Sequence, residues 1–254
     1  MSEAKELQYE LYYWPGLPGR GEFVRLAFEE AGCPYVDVGR LPADQGGGVH
    51  AIQRLTRGTG VGLRPFAPPI LKYGDVVLAQ TANILLWLAP RLGLVPQDEL
   101  SRVTANQLQL SIMDLVAEVH DTHHPVASTL YYEDQKAEAK KKAELFVSRR
   151  MPQLLGYFED VLQRNTSSQQ KHMVTSGLTY VDLSMFQVLE GLAYAFPIAF
   201  SHAKPSIPRL LVLRDSIAQR PNIAAYLASD RRCPFNEHGI FRRYPELDFP
   251  PSAA

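Results

Sequence analysis

The segment FAPPILKYGDVVLAQTANILLWLAPRL, residues 66–92, decides how the chain is read. It reads as strand, tight turn, strand and helix. Ile70-Leu71-Lys72-Tyr73 is short and apolar enough for a strand. Gly74-Asp75 has turn chemistry, and β-branched Val76-Val77-Leu78 returns antiparallel. The period then changes. Ile84, Leu85, Leu88 and Leu92 recur at helical spacing, so a helix is predicted to start near Gln80-Thr81. The first turn of a helix leaves N–H groups unpaired and carries partial positive charge, which stabilises a carboxylate or phosphate. Gln80 and Thr81 add an amide and a hydroxyl there. Neither Pro68 nor Pro69 can donate a hydrogen bond, which predicts a strand edge and admits a cis bond. Strand-to-helix turns that bind nothing carry the same residue types, so this stretch by itself leaves both readings open.

On the N-terminal side, residues 7–13 (LQYELYY) alternate as a strand, with Leu7, Tyr9, Leu11 and Tyr13 on one side and Tyr12 on the other. A loop with two prolines and two glycines follows, and a helix opens at Arg20 or Gly21. Phe23, Val24, Ala27 and Phe28 form its apolar stripe and Gly32 ends it. Residues 35–38 make a second strand, completing a βαβ unit. Residues 40–67 are interrupted by Gly46-Gly47-Gly48 and by Gly58, Gly60 and Gly62. A short helix near 49–55 and a flexible connection are predicted, and no GxxxxGK[ST] or GxGxxG phosphate pattern is present.

Beyond the linker at 93–97 the pattern is helical throughout. Residues 100–119 carry Val103, Leu108, Leu110, Ile112, Met113, Leu115, Val116 and Val119. Residues 133–163 read as one long helix with a charged first half. Glu138 with Lys142 and Lys140 with Glu144 stand at i,i+4, a solvated face rather than a nucleic-acid patch. Thr179-Tyr180-Val181-Asp182 is a capping box ahead of Met185, Phe186, Leu189 and Leu192. Helices are predicted over 208–219 and 222–228. Residues after Pro234 lack periodicity and are expected to lie over the surface as a tail.

With 254 residues the chain admits one large domain or two smaller ones. A net charge of −1 points to neither nucleic acid nor an anionic membrane as partner. Two cysteines, Cys33 and Cys233, are too few for a disulfide framework and read as structural. The start MSEAKELQYE has no apolar signal region, and the apolar run near 84–89 falls far short of a membrane span. The expectation is a reducing, cytoplasmic home.

The βαβ–ββα order with a proline opening the second hairpin resembles the thioredoxin fold. Followed by an all-helical part, it resembles the cytosolic glutathione S-transferases, in detail their tyrosine-dependent Alpha, Mu, Pi and Sigma branch. Four segments carry the likeness: Tyr13-Trp14 with Gly19-Arg20 and Val24-Arg25-Leu26; Pro69-Ile70-Leu71 with Ala79-Gln80-Thr81 and Ile84-Leu85; Thr179-Tyr180-Val181-Asp182; and Arg220-Pro221-Asn222 with Tyr226-Leu227-Ala228-Ser229. The resemblance implies a thioredoxin-like glutathione-binding domain over 1–92 and an all-helical domain with a C-terminal tail over 98–254. It departs at Thr81, where the family usually has Ser, at a loop one residue longer after Tyr13, and at Pro68. Proline keeps its C=O but has no N–H. One of the two hydrogen bonds that the family makes to the peptide is expected to be missing, at a cost of roughly 0.5–1.5 kcal/mol.

The implied chemistry is conjugation of reduced glutathione to a hydrophobic electrophile, without a metal, in a homodimer. A free thiol with a pKa near about 8.5 is mostly protonated at neutral pH, and the thiolate is the nucleophile. A phenolic O–H aimed at the sulfur favours the anion. The motif gives that position to Tyr13. The resemblance further implies Trp14, Arg20, Pro68, Gln80, Thr81 and Asp114 as glutathione-binding residues, Asp114 reaching across the dimer. Gln107 and Asp121 share the side of Asp114, so a solvated helix face stays open as its other reading. The glycyl carboxylate is expected to meet Arg54, Arg57 or Arg64. His120 and His124 are expected to line the electrophile pocket. Their i,i+4 spacing also suits a metal, but no second ligand pair accompanies them. Glutathione-dependent isomerisation or peroxide reduction, and a ligand-binding protein without turnover, remain as alternatives.

Overall fold

Two periodicities build the N-terminal part. Strands β1 (Tyr9–Tyr12), β2 (Tyr35–Asp37), β3 (Ile70–Tyr73) and β4 (Val76–Ala79) form a four-stranded sheet in the order β2-β1-β3-β4. β1 runs parallel to β2 and antiparallel to β3, and β3 pairs antiparallel with β4. The computed structural model describes residues 7–58 and 63–250. Gly60 and Gly62, two of the expected interruptions, lie outside the described residues.

Period-two alternation sends Leu11 and Tyr12 to opposite faces of the sheet. On one face Leu11 and Leu71 pack with Val24 and Phe28 of α1 (Glu22–Ala31) and with Ile84 and Leu88 of α3 (Thr81–Leu88). Gly32 stops α1 in the left-handed conformation, at φ +60°. On the other face Tyr12 and Ile70 pack with Val38 and with Ala51 and Ile52 of α2 (Gly48–Arg57). The described part of residues 40–67 is therefore not the flexible connection expected of it. The 3-10 turn at Val38–Arg40 and helix α2 are held because Val38, Ala51 and Ile52 cover the second face of the sheet, while the turn at Ala43–Gln45 is exposed. The Pro68-Pro69 peptide is cis.

The rest is an all-α bundle of α4 (Glu99–Asp121), α5 (Lys136–Leu145), α6 (Met151–Arg164), α7 (Tyr180–Ala195), α8 (Pro197–Ala203), α9 (Pro208–Ala218) and α10 (Pro221–Leu227). Helix α7 is its axis: Val181, Met185, Phe186, Val188, Leu189 and Leu192 are fully buried. The capping box closes as expected. The Asp182 carboxylate accepts from Thr179 N–H at 2.7 Å and Thr179 Oγ1 at 3.1 Å, and its other oxygen accepts from Met173 N–H at 2.9 Å.

Two expectations need correction. The long helix predicted over 133–163 is divided by a π-helical turn at Phe146–Arg150. Pro152 has no N–H for the Ser148 carbonyl, so the regular ladder cannot continue through it. Glu138, Lys140 and Glu144 are exposed, the solvated helix face expected of this stretch. The tail is not a surface layer. Ile240, Phe241 and Leu247 are buried, Phe241 lies where Gly191 of α7 has no side chain, and Asp248 caps the first turn of α8 through Ile198 and Ala199 N–H. An aperiodic segment can still bury isolated apolar residues in notches of the bundle, and periodicity carries no signal for that.

Replacing Asp182 by alanine would leave the buried Thr179 and Met173 amides without acceptors. The expected loss is about 2–3 kcal/mol, read as a lower urea midpoint with an unchanged slope.

Candidate active site

Tyr13 follows β1 and is 6% exposed. Its ring is flanked by two glycines. A Cβ on Gly19, itself at φ +43°, would lie 2.1 Å from the hydroxyl, and one on Gly21 would lie 2.5 Å from Cγ. Only glycine lets the loop close this far. The result is a short hydrogen bond: Arg20 N–H donates to Tyr13 Oη at 2.8 Å. The carbonyl of the same residue accepts from Thr81 Oγ1 at 3.3 Å. One residue's backbone thereby joins Tyr13 to the start of α3.

The Tyr13 hydroxyl donates to no described residue, so its own hydrogen is uncommitted. Burial pushes the phenol above its ordinary pKa, against the pull of the Arg20 amide and of the Arg20 and Arg25 charges. At neutral pH it is therefore a donor. Gln80 precedes α3 at φ +70° and ψ 121°, an uncommon conformation for a side-chain-bearing residue. Its side chain is exposed and makes no capping bond, so the first-turn amides of α3 are left without a side-chain partner. An uncapped helix start of this kind has amides and partial positive charge available to an anion.

The other expected residues are less concentrated. Pro68 is half-buried beside the cis bond. Trp14 packs with the Tyr12 and Val38 cluster on the α2 side of the sheet. Asp114 is exposed on α4 and makes no hydrogen bond or ion pair among the described residues. Arg54 and Arg57 are exposed on α2, where Arg54 donates to the Gly46 carbonyl at 3.0 Å, and Arg64 lies over Gly58. Nothing in the geometry ranks these three.

At the end of α4, His120, His123 and His124 pack ring against ring, with centroids 4.8–5.2 Å apart. Burial first, then the charges of His124 and Arg20, hold the pKa of His120 below the usual histidine value, at about 4. His124 Nδ1 lies 3.2 Å from Gln135 Nε2. No group of three or more His, Cys, Asp or Glu side chains among the described residues is arranged to hold a metal ion. His123, which the spacing did not single out, is buried and donates from Nε2 to the Ile240 carbonyl at 2.8 Å. Asn236 Nδ2 donates to the Gly16 carbonyl at 2.9 Å. Residues 236–240 thus span from the loop after β1 to the end of α4.

Sequence reading also missed a buried charged group behind Tyr13. Glu22 and Arg25 of α1 are both fully buried and paired at 3.1 Å. The available signal was two opposite charges at i,i+3 inside an otherwise apolar helix.

Comparison with known proteins fits this geometry. Residues 120–230 match the family model described as glutathione S-transferase, C-terminal domain. A glutathione S-transferase of Plasmodium falciparum is 24% identical over 223 residues, covering 86% of this chain and 94% of that protein. Glutathione S-transferase 1 of Ascaris suum is 24% identical over 232 residues, covering 90% and 99%. Over most of its length the chain is similar to glutathione S-transferases. Solved structures with the same fold include the Pi-class glutathione S-transferase of Onchocerca volvulus, with a TM-score of 0.65, 19% identity and coverage of 87% of this chain and 92% of that one. Prostaglandin synthase D of Nilaparvata lugens superposes with a TM-score of 0.66 at 18% identity, over 89% and 100% of the two chains. Tyr13, Arg20 and Thr81 are the residues that the fold brings together.

His123 gives a pH signature. Its Nε2 is committed to Ile240 and its buried Nδ1 has no partner, so burial first of all drives its pKa down to about 3. A depressed folded value contributes stability that is present above the unfolded value near 6.5 and is lost as pH falls toward 3. Between pH 6.5 and 4, His123→Gln is expected to lose roughly 3 kcal/mol less stability than wild type, measured by urea titration at each pH.

Proposed function

We propose that the protein is a glutathione transferase that conjugates reduced glutathione to hydrophobic electrophiles through a thiolate stabilised by Tyr13. One observation carries this reading: the Tyr13 oxygen accepts the Arg20 amide while its own hydrogen stays free to give, beside the start of α3. The amide polarises the phenol and so strengthens it as a donor. A sulfur placed on that O–H accepts a charge-assisted bond as the anion and only a weak one as the thiol. Each pKa unit of lowering requires about 1.4 kcal/mol of such preference.

The part over residues 1–92 would hold the tripeptide, with the γ-glutamyl carboxylate on the α3 amides, Gln80 and Thr81. Pro68 offers only its carbonyl to the peptide. Trp14 and Arg20 would border the tripeptide, and one of Arg54, Arg57 and Arg64 would meet the glycyl carboxylate. The helical part, residues 98–254, would supply the electrophile's side, with His120 and His124 at the end of α4 and residues 236–240 across it. In the reaction the thiol proton passes to water, and the thiolate forms the S–C bond. For a chlorodinitrobenzene, chloride leaves with the bonding electron pair. No metal takes part, and the setting is the cytoplasm. Among the described residues no helix is long and apolar enough to cross a membrane.

Tyr13→Phe should lower kcat for conjugation of chlorodinitrobenzene by about 10–100-fold with the KM for glutathione little changed, since the lost bond is made chiefly to the anion. Equal rates would remove Tyr13 from this role. Ligand binding without turnover in the wild type would favour a carrier.

An exposed apolar stripe on α4 supports a homodimer as part of the same reading. Leu100, Val103 and Leu110 are 75%, 54% and 52% exposed and lie on one face of α4 with Gln107 and Asp114, and Phe66 is 91% exposed. A helical stripe of this kind left open on a monomer suits a helix of a partner. We expect a homodimer by light scattering, shifted toward monomer by Leu110→Glu.

A further inference from the structure

We propose that Arg25 is a positioning residue of the thiolate site, its guanidinium locking both segments that clasp Tyr13 and being locked in turn by Tyr226 and Arg232 near the C-terminus. This rests on the Tyr13 reading above and adds to it a control that lies outside the site.

Arg25 is fully buried, and its contacts are specific. Nη1 donates to the Leu17 and Pro18 carbonyls, each at 3.3 Å. These residues lead directly into the Gly19–Gly21 turn that carries the Arg20 amide to the Tyr13 hydroxyl. Nε donates to Asp37 Oδ2 at 2.7 Å. Asp37 precedes Gly39, where a Cβ would come within 1.8 Å of the Tyr13 carbonyl oxygen. One guanidinium therefore ties the loop pressed on the Tyr13 ring to the turn pressed on its backbone. The guanidinium carbon also stands 5.7 Å from the centre of that ring, so its charge reaches the phenol through little water.

Arg25 is itself held. Glu22 accepts from Arg25 through Oε2 at 3.1 Å. Its other oxygen accepts from the Tyr226 hydroxyl at 2.6 Å and from Arg232 Nη1. Arg232 also donates to Gln187 of α7 at 2.8 Å. Arg20 and Arg25 are the charged groups that face Tyr13. The charged groups facing Arg25 are Glu22 from α1, Asp37 from β2 and Arg232 from the segment after α10, and the neutral titratable ones are Tyr35, Tyr226 and Cys233. Two cations stand against two carboxylates, so the group is balanced, and the arrangement has one defined geometry rather than a solvated average. The route from Tyr226 to Glu22, Arg25, the Leu17-Pro18 carbonyls and the Arg20 amide ends on the hydroxyl that would hold the sulfur.

The test reads the pKa of enzyme-bound glutathione, from thiolate ultraviolet absorbance and from the pH dependence of kcat/KM for chlorodinitrobenzene. Unfolding midpoints are measured alongside. In Arg25→Lys the thiol pKa should rise by about one unit, a tenfold smaller thiolate fraction at neutral pH, with glutathione KM within about threefold of wild type. Tyr226→Phe keeps the ring and removes only the bond to Glu22. It should move the thiol pKa in the same direction by less, and it decides the matter if Arg25→Lys does not fold. Wild-type thiol pKa in the folded variants, with activity falling only as the folded fraction falls, overturns the inference and leaves Arg25 a structural residue. Tyr13→Phe run in parallel separates the two levels. If it raises the thiol pKa while the Arg25 and Tyr226 variants do not, only this inference fails. If it leaves the thiol pKa unchanged, the Tyr13 reading and this inference both fall.

Discussion

A phenol oxygen held by a single backbone amide sets the terms for the rest of the molecule. The Arg20 amide reaches Tyr13 only because the loop has no side chain at Gly19 or Gly21, and a Cβ at either place would collide with the ring. That closeness costs conformational entropy in the unfolded chain and needs support from outside the loop. The support comes from three directions: Thr81 on the Arg20 carbonyl, Arg25 on the Leu17 and Pro18 carbonyls, and the Gly39 turn against the Tyr13 backbone. Strain at Gln80 and crowding at Gly19 fall on the two sides of one small region.

The same region explains how the sheet and the helical part are fastened together. Helix α1 lies between them, and α10 with the segment after it grips α1 along its length. Arg220 pairs with Glu30, Asn222 Nδ2 donates to the Glu30 carbonyl at 2.9 Å, Arg231 pairs with Glu29 at 2.7 Å, and Tyr226 with Arg232 holds Glu22. The outer pairs are exposed on their arginine side and add little each. The inner group is different. Breaking one partner of a desolvated set leaves an uncompensated charge, which costs far more than the intact set contributes. Geometry at the inner end is thus defended by electrostatics, while the outer end serves mainly to place the chain.

Much of this was open to reading from the residues. The two-residue and 3.6-residue periods place β1, α1, β3, β4, α3 and α7 close to where they lie, and Gly32, Gly74-Asp75 and the Thr179–Asp182 box mark real ends. Gln80 and Thr81 were marked by their place in a strand-to-helix pattern and Tyr13 by the family resemblance, and the fold brings Tyr13 and Thr81 to one residue's backbone. Periodicity failed where burial is not periodic. The last residues, Ile240, Phe241, Leu247 and Asp248, fill separate notches, and the π turn at Phe146–Arg150 follows from one proline inside an otherwise regular pattern. His123 lies beside the His120 and His124 pair that was noticed, yet its partner is the carbonyl of Ile240, far along the chain.

The residues by themselves determined the order of elements, the face each strand turns to its helices, and the chemistry available at the start of α3, because these follow from local sterics and from the period of apolar side chains. Only the tertiary structure decided what the Tyr13 hydroxyl touches, that Glu22 and Arg25 are buried together, and that the chain's last segment returns to α1 and α4. A hydrogen bond or a buried ion pair between residues distant in sequence has no periodic trace. It exists only once packing has excluded water from both partners and fixed their distance.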